Sequence, residues 1–276
     1  MVYQVIKFDG RREPFSSQKI LNSARRVGVP SGLRPKLLKY IESNLRQNMT
    51  TKEIFHLIKN FLHTNHQASS LRYNLKKALA ELGPSGYPFE KYLAELLKAD
   101  HYQTQTNQIL QGRCVSHEID VLATKGGFTY AIEAKFHNRK HLRSDVKVSL
   151  YVHSRYQDLL ANWHRQTKLL PWLVTNTRFT SDARAYAQCV QMRLMSWDFP
   201  KQRNLRARIE ASRLHPITIL ETISQRSKEI LLQQGVVACR QVLSHCRQLK
   251  LLLPSSEYQR LIREVSLLYP ASQHES

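Results

Sequence analysis

Asp120, Glu133 and Lys135 fall within "HEIDVLATKGGFTYAIEAKFHN", two runs of mixed apolar and polar residues separated by Gly126-Gly127. A Gly-Gly pair favours the two-residue turn of a β-hairpin, so Lys125 should face Phe128 and, counting outward, Asp120 should face Glu133. Ile119 and Val121 then point to the core with Ile132 and Ala134, while Asp120, Glu133 and Lys135 share the other face. Carboxylates directly opposed across a hairpin repel. They call for a cation, and Mg²⁺ (or Mn²⁺) suits them because hard divalent ions take carboxylate, carbonyl and water oxygens. Asp120, Glu133 and the backbone carbonyl of Ala134 form the expected metal set. Lys135 stands where an ammonium assists attack of water on phosphorus and neutralises charge building on the phosphate. The alternative is an exposed cross-strand patch in which Lys135 neutralises two acids, because so short a string recurs by chance.

The elements around this hairpin alternate in type. Helical periodicity in "FEKYLAELLKADHY" precedes it, with Glu90 in the first turn. Strands are expected at 103–108, 118–123, 128–135, 171–175 and 192–197, with helices at 144–163 and 181–189. This order predicts an α/β domain with a central mixed sheet. Upstream, Tyr3 to Phe8, the Asp9-Gly10 turn and Glu13-Pro14-Phe15 read as a hairpin. Helices follow it: one from the Ser16/Ser17 caps, then 33–45, 51–62 and 68–82. "GPSGYP" at 83–88 is a punctuated boundary. "DFPKQRNLRARIE" reads as a basic, polar connector, and residues 212–276 as helical, beginning with "PITILETI". The last six residues are expected to fray.

Composition limits the function. The chain has 42 Lys and Arg against 21 Asp and Glu, for a formal net charge of +21. That balance points to a polyanionic partner, nucleic acid first. Residues 1–88 hold 15 Lys and Arg against 5 Asp and Glu, so the charge is not confined to the hairpin domain. No apolar stretch is long enough to cross a membrane and no signal-like run opens the sequence, so the expectation is a cytoplasmic protein. Cys114, Cys189, Cys239 and Cys246 lack the spacing of a zinc ribbon or a disulfide framework. His63/His66 and His137/His141 have metal-like spacing without a second ligand pair.

"HEIDVLA", "YAIEAKFHN" and "LVTNTRFTSDARAYA" resemble the PD-(D/E)XK nucleases, in particular the Mrr-like restriction endonucleases, over roughly Tyr87 to Pro200. The resemblance implies metal-dependent hydrolysis of DNA phosphodiester bonds, with Asp120 and Glu133 as metal ligands and Lys135 as the catalytic lysine. Glu90 matches a helix glutamate that joins such sites, and its alternative is an ordinary solvent-facing residue. His117 and His137 flank the acids; the plainer reading of each is a surface histidine.

"VIKFDGRREPFSSQKI", with "TTKEIFHLI" and "LRYNLKKALAEL", resembles the ATP-cone, a nucleotide-binding regulatory module of ribonucleotide reductases and their repressor. The resemblance places ATP or dATP near Lys7 and Lys19, with Val5, Glu13, Ile20 and Thr51 at other pocket positions; Phe8 stands where a basic residue is common. No GxxxxGK[ST] stretch is present, so binding rather than hydrolysis is expected. A basic module that touches nucleic acid directly is the alternative. "ITILETISQRSKEILLQQGVVACRQVL" resembles a helix-hairpin-helix unit, but "ISQ" replaces its glycine turn; a packing or dimerisation domain explains the same residues.

The expected organisation is therefore an α/β and α multi-domain chain: an ATP-cone at 1–83, a restriction-endonuclease-like domain at 84–200 and a helical domain at 212–276. The expected function is a Mg²⁺-dependent DNA endonuclease under nucleotide control, without membrane association and with self-association left open. A nucleotide-responsive DNA-binding regulator without cleavage and a structure-specific repair nuclease or resolvase are the alternatives.

Overall fold

A computed structural model describes residues 3–83, 85–139 and 141–270. The expected frayed end, and Pro84 within the boundary read at 83–88, lie outside the described residues. The chain divides into two compact units, Met1–Leu75 with Ser266–Ser276, and Lys76–Val265.

In the first unit, β1 (Gln4–Ile6) and β2 (Arg12–Pro14) pair antiparallel around Asp9-Gly10, with Gly10 at φ +81°, where glycine is favoured. Helix α1 (Ser17–Arg26) starts on the Ser16 hydroxyl, which accepts the Lys19 N–H. It is followed by α2 (Arg34–Ser43), β3 (Met49–Thr50), α3 (Thr51–Asn65) and α4 (Gln67–Tyr73). β3 runs parallel to β1, and the expected hairpin is thereby a three-stranded sheet. A two-residue strand whose partner lies over forty residues away leaves no periodic signal. Thr50 and Glu53 close a capping box at the start of α3. Ile20, Ala24, Leu37, Ile41, Ile54, Ile58 and Leu62 form the core. The single helix expected at 68–82 is two, because Asn74 takes a turn backbone between α4 and α5 (Leu75–Ala80).

The second unit contains α6 (Tyr87–Ala99), β4 (Gln103–Gln111), β5 (Ser116–Lys125), β6 (Phe128–Lys135), β7 (Arg143–Ser144), α7 (Val146–Leu160), β8 (Lys168–Thr175), β9 (Arg178–Phe179), α8 (Ser181–Cys189) and β10 (Arg193–Met195). Five strands form a mixed sheet in the order β10-β8-β6-β5-β4. The β4-β5-β6 meander is antiparallel, while β6, β8 and β10 run parallel through crossovers carrying α7 and α8. Asp145 caps α7 and Thr180 caps α8. Parallel strands covered on both faces explain the near-continuous apolar run Leu169–Val174.

The stretch read as a connector is instead helix α9 (Leu205–Ser212), capped by Asn204. Leu205 and Ile209, four apart, are fully buried. Arg206 and Arg208 between them masked that pair, since long basic side chains can flank an apolar stripe. "PITILETI" is not an α-helix: only Ile217–Ile219 make a single 3₁₀ turn. Ile217, Ile219, Leu220 and Ile223 are all buried, an all-round apolar pattern that packs without helical periodicity. Helices α10 (Gln225–Gln233), α11 (Cys239–Ser244), α12 (Cys246–Leu252) and α13 (Ser255–Leu268) follow. All four cysteines are free. Among the described residues no helix is long and apolar enough to cross a membrane.

Candidate active site

Gly126 and Gly127 adopt φ +58° and +78°, the backbone of a tight hairpin turn, and the pairing runs from Lys125↔Phe128 to Val121↔Ile132 as the sequence predicts. It stops one step short of Asp120 and Glu133. On the other side of β5, Thr106 pairs with Val121 and Gln108 with Ile119, while Asn107 turns left-handed at φ +53°. The Asp120 carboxylate takes over part of the ladder by accepting the Ala134 N–H at 2.7 Å. Asp120 is therefore not a regular cross-strand partner of Glu133. Alternation slips here: Ile119 packs with Leu122 and Ala131 rather than on the face of Val121.

The carboxylates nevertheless share one electrostatic neighbourhood. Asp120 is pushed up to about 6, first by burial and then by Glu133, against the Ala134 N–H and Arg155; Glu118 raises it further. Glu90, half-buried on α6, is pushed up to about 7 by burial and by Asp120, with Glu118 and Glu133 adding to it and a hydrogen bond from Asn107 opposing. Burial of like charges favours the proton or another cation. Glu133 is held by Arg155 at 2.6 Å, and both side chains are largely buried. Lys135 ends β6 exposed and forms no ion pair among the described residues. Its ammonium adds to burial in lowering His137.

Helix α7 supplies what the hairpin motif did not announce. Arg155 donates to Glu133 and to the Glu118 carbonyl, and lies 5.2 Å over the Tyr151 ring. One turn on, Asp158 accepts the N–H groups of Cys114 and Val115 at 2.8 and 3.3 Å and pairs with His117 at 2.8 Å. Burial would raise the Asp158 carboxyl, but the His117 and backbone hydrogen bonds hold it well below the usual carboxylate range. Gly112 fits beneath it because a Cβ there would meet that carboxylate and the Val115 carbonyl. The signal for Arg155 was present: it lies on the buried stripe of Val152, Tyr156 and Leu159, an unusual place for a cation. His117 is bound to Asp158 and His137 to Ser144 at 3.1 Å, so neither is the free surface histidine of the plainer reading.

The site's oxygen donors fit a hard divalent cation. Asp120, Glu133 and Glu90 are crowded carboxylates with raised values at two positions, and Ala134 is buried with its N–H committed to Asp120. Among the described residues no three His, Cys, Asp or Glu side chains converge as a ready-made cage, and the two histidine pairs form none. Few side-chain ligands, completed by carbonyl and water, are what Mg²⁺ accepts.

The six residues assigned to a nucleotide, Val5, Lys7, Glu13, Lys19, Ile20 and Thr51, line one cavity of about 190 Å³ in the first unit. Glu13 lies 2.9 Å from the Lys19 ammonium and 3.2 Å from that of Lys7, and these partners lower its carboxyl. The Phe55 and Tyr73 rings stack with centroids 5.0 Å apart at the same cavity. In the C-terminal segment, Glu264 accepts the N–H groups of Glu221 and Thr222, and Glu257 that of Ser224. The amides that a phosphate-gripping hairpin would present are already bound.

A restriction endonuclease family model matches residues 83–200, and the model described as AF1548-like, C-terminal matches 215–269. An uncharacterized protein of Archaeoglobus fulgidus is 38% identical over 152 residues, 55% of this chain and 84% of its own length. The chain belongs to the AF1548-like family. The crystal structure of a protein of unknown function, AF1548, is 32% identical at TM-score 0.59, covering 67% of this chain and 98% of that one. The MspJI restriction endonuclease in complex with a 27-mer oligonucleotide is far more remote, 11% identical at TM-score 0.30 over 70% of this chain and 41% of its own. This AF1548-like protein thus carries a restriction-endonuclease-like catalytic domain followed by the family's C-terminal domain. Both matched segments begin beyond Leu75, where the first stretch of the first unit ends.

The raised carboxylates give a pH test. The folded protein holds the Glu90 proton up to about pH 7, while the unfolded chain releases it near 4.5, so ionisation costs stability as pH rises through that window. Glu90→Gln should raise stability at pH 8 by about 1–2 kcal/mol after allowance for solvent screening, and change it little at pH 4. Urea unfolding at both pH values measures the difference; equal effects at both would contradict the assignment.

Proposed function

We propose that this protein is a metal-dependent DNA endonuclease hydrolysing phosphodiester bonds at the β5–β6 hairpin. The observation that carries the reading is the grouping of Glu90, Asp120 and Glu133, with Asp120 and Glu90 raised, beside the unpaired Lys135 on a restriction-endonuclease-like fold. Asp120, Glu133 and the Ala134 carbonyl would hold Mg²⁺ or Mn²⁺, with Glu90 as a further oxygen donor. When bound, the metal neutralises phosphate charge and makes water a better nucleophile. Lys135 orients a water toward phosphorus and donates to the phosphate oxygens. Arg155 keeps Glu133 in place, and Asp158 fixes the β4–β5 loop over α7. The net charge of +21 supports DNA as the polyanionic partner.

Supercoiled plasmid should be nicked only with Mg²⁺ or Mn²⁺ present. Asp120→Ala and Glu133→Ala should each lower the rate at least about 10³-fold, and Lys135→Ala about 10²–10³-fold, with DNA binding retained. ATP-dependent DNA binding without nicking on unmodified, methylated and branched DNA would favour a nucleotide-responsive regulator instead.

We further propose that the first unit is an ATP-cone that binds ATP or dATP and regulates the second. Two ammonium groups positioned by Glu13 offer contacts for phosphate, and the Phe55 and Tyr73 side of the cavity offers apolar surface for a base. Calorimetric titration should show ATP affinity falling at least about tenfold in Lys7→Ala/Lys19→Ala. Unchanged affinity would dispose of the nucleotide assignment.

A further inference from the structure

A second cavity lies at the turn end of β5, away from the mid-strand Asp120. It encloses about 410 Å³, within the range of sites that hold a molecule of nucleotide size. Lys125, at the hairpin turn, is five residues from Asp120 along the strand, about 17 Å at the usual rise. The cavity is thus not part of the hydrolytic site. It is bounded by the end of α6, the β5–β6 turn and α9. Arg203 to Ala211, one wall of it, fall between the two segments matched by family models.

Its charge is lopsided. Lys125, Arg203 and Arg208 face it together with His101, against the single carboxylate of Asp100. Arg208 consumes that carboxylate: it pairs with Asp100, donates to the Arg203 carbonyl at 3.1 Å and lies 5.8 Å from the Trp172 ring. The Lys125 ammonium donates to the Asp100 carbonyl at 2.6 Å and stands 5.1 Å over the Tyr102 ring, with N–H groups to spare. The side chains of Arg203 and His101 have no hydrogen-bond or ion-pair partner among the described residues and are exposed at the rim.

The rim is also pre-set. His101 and Arg203 both hold left-handed backbones, at φ +65° and +54°, which non-glycine residues adopt only where their surroundings fix them. His101 is fixed by the C-terminal hydrogen bonds of α6, from His101 N–H to the Lys98 carbonyl and from Tyr102 N–H to the Leu97 carbonyl. Arg203 is fixed by the Arg208 guanidinium. Ala207 and Ala211 leave room between these groups, and Tyr102 supplies an aromatic surface.

We propose that this cavity binds a nucleotide phosphate, with Arg203 and Lys125 on the phosphate and Tyr102 with the alanine wall beside the base. Arginine recognises phosphate oxygens through paired N–H groups, and the cavity admits a ring where a bare surface patch does not. The phosphate could belong to a free mononucleotide or to a DNA strand, and the two sources are separable.

The full chain carrying Lys7→Ala and Lys19→Ala, which removes both ammonium groups from the first-unit cavity, is titrated with dAMP and with a fluorescein-labelled duplex. Two variants are compared in that background: Arg203→Ala/Lys125→Ala, and Ala211→Phe, which fills the cavity without changing charge. Circular dichroism melting confirms that each is folded. A tenfold or greater loss of dAMP affinity in both variants assigns the site to a free nucleotide. A loss of that size for the duplex alone, again in both, assigns it to a DNA strand. Unchanged affinity for both probes, or a loss confined to the charge variant, would overturn the proposal, because the latter is the signature of bulk surface attraction.

Discussion

Repulsion among carboxylates at the β5–β6 hairpin is the constraint on which the rest of the second unit turns. Asp120 and Glu90 are both raised because burial and like charge act together. A fold seeking only stability would remove one of them, since crowded buried charge is costly unless it is paired. This fold manages the charge instead. Asp120 accepts a backbone N–H from β6, and Glu133 takes the Arg155 guanidinium from α7. The crossover helix that joins β6 to β8 therefore also holds the site, and Asp158 on the same helix pins the loop entering β5. Leaving Lys135 unpaired at the end of β6 keeps one cation available to something outside the protein.

Much of this was written in local sequence. Gly126-Gly127 set the hairpin register correctly from Lys125 to Val121, because a two-residue turn leaves no freedom in pairing. The alternation of strands and helices between Tyr87 and Met195 predicted the mixed sheet, since its longer elements show their period, whereas the two-residue β7 and β9 do not. What escaped was non-local or disguised. The break at Asp120 depends on β4 and β6 together, which no single-strand pattern contains. Arg155 sits on an apolar helix stripe whose target strand precedes it by more than thirty residues. Helix α9 was hidden by its arginines and β3 by its length. Ile217 to Ile223 showed that a run of buried aliphatic residues need form no more than a single 3₁₀ turn.

Part of the high positive charge is gathered at cavities. In the first unit Lys7 and Lys19 converge on Glu13 at the mouth of a cavity. In the C-terminal segment carboxylates fulfil a different role: Glu264 and Glu257 bind backbone N–H groups of the 221–224 turn, stabilising the packing of the helices there. The same chemical group thus binds backbone donors in the C-terminal segment and positions ammonium groups in the first unit.

Calorimetric titration of the full chain with Mn²⁺ at pH 6.5, in two buffers of different ionisation enthalpy, measures directly whether a divalent cation completes the site proposed at Asp120 and Glu133. One tight site in the second unit is expected, lost in Asp120→Asn, with proton release on binding, because Asp120 and Glu90 are pushed up to about 6 and 7. Mn²⁺ binding that is absent, or that is unchanged by Asp120→Asn and Glu133→Gln, would contradict it.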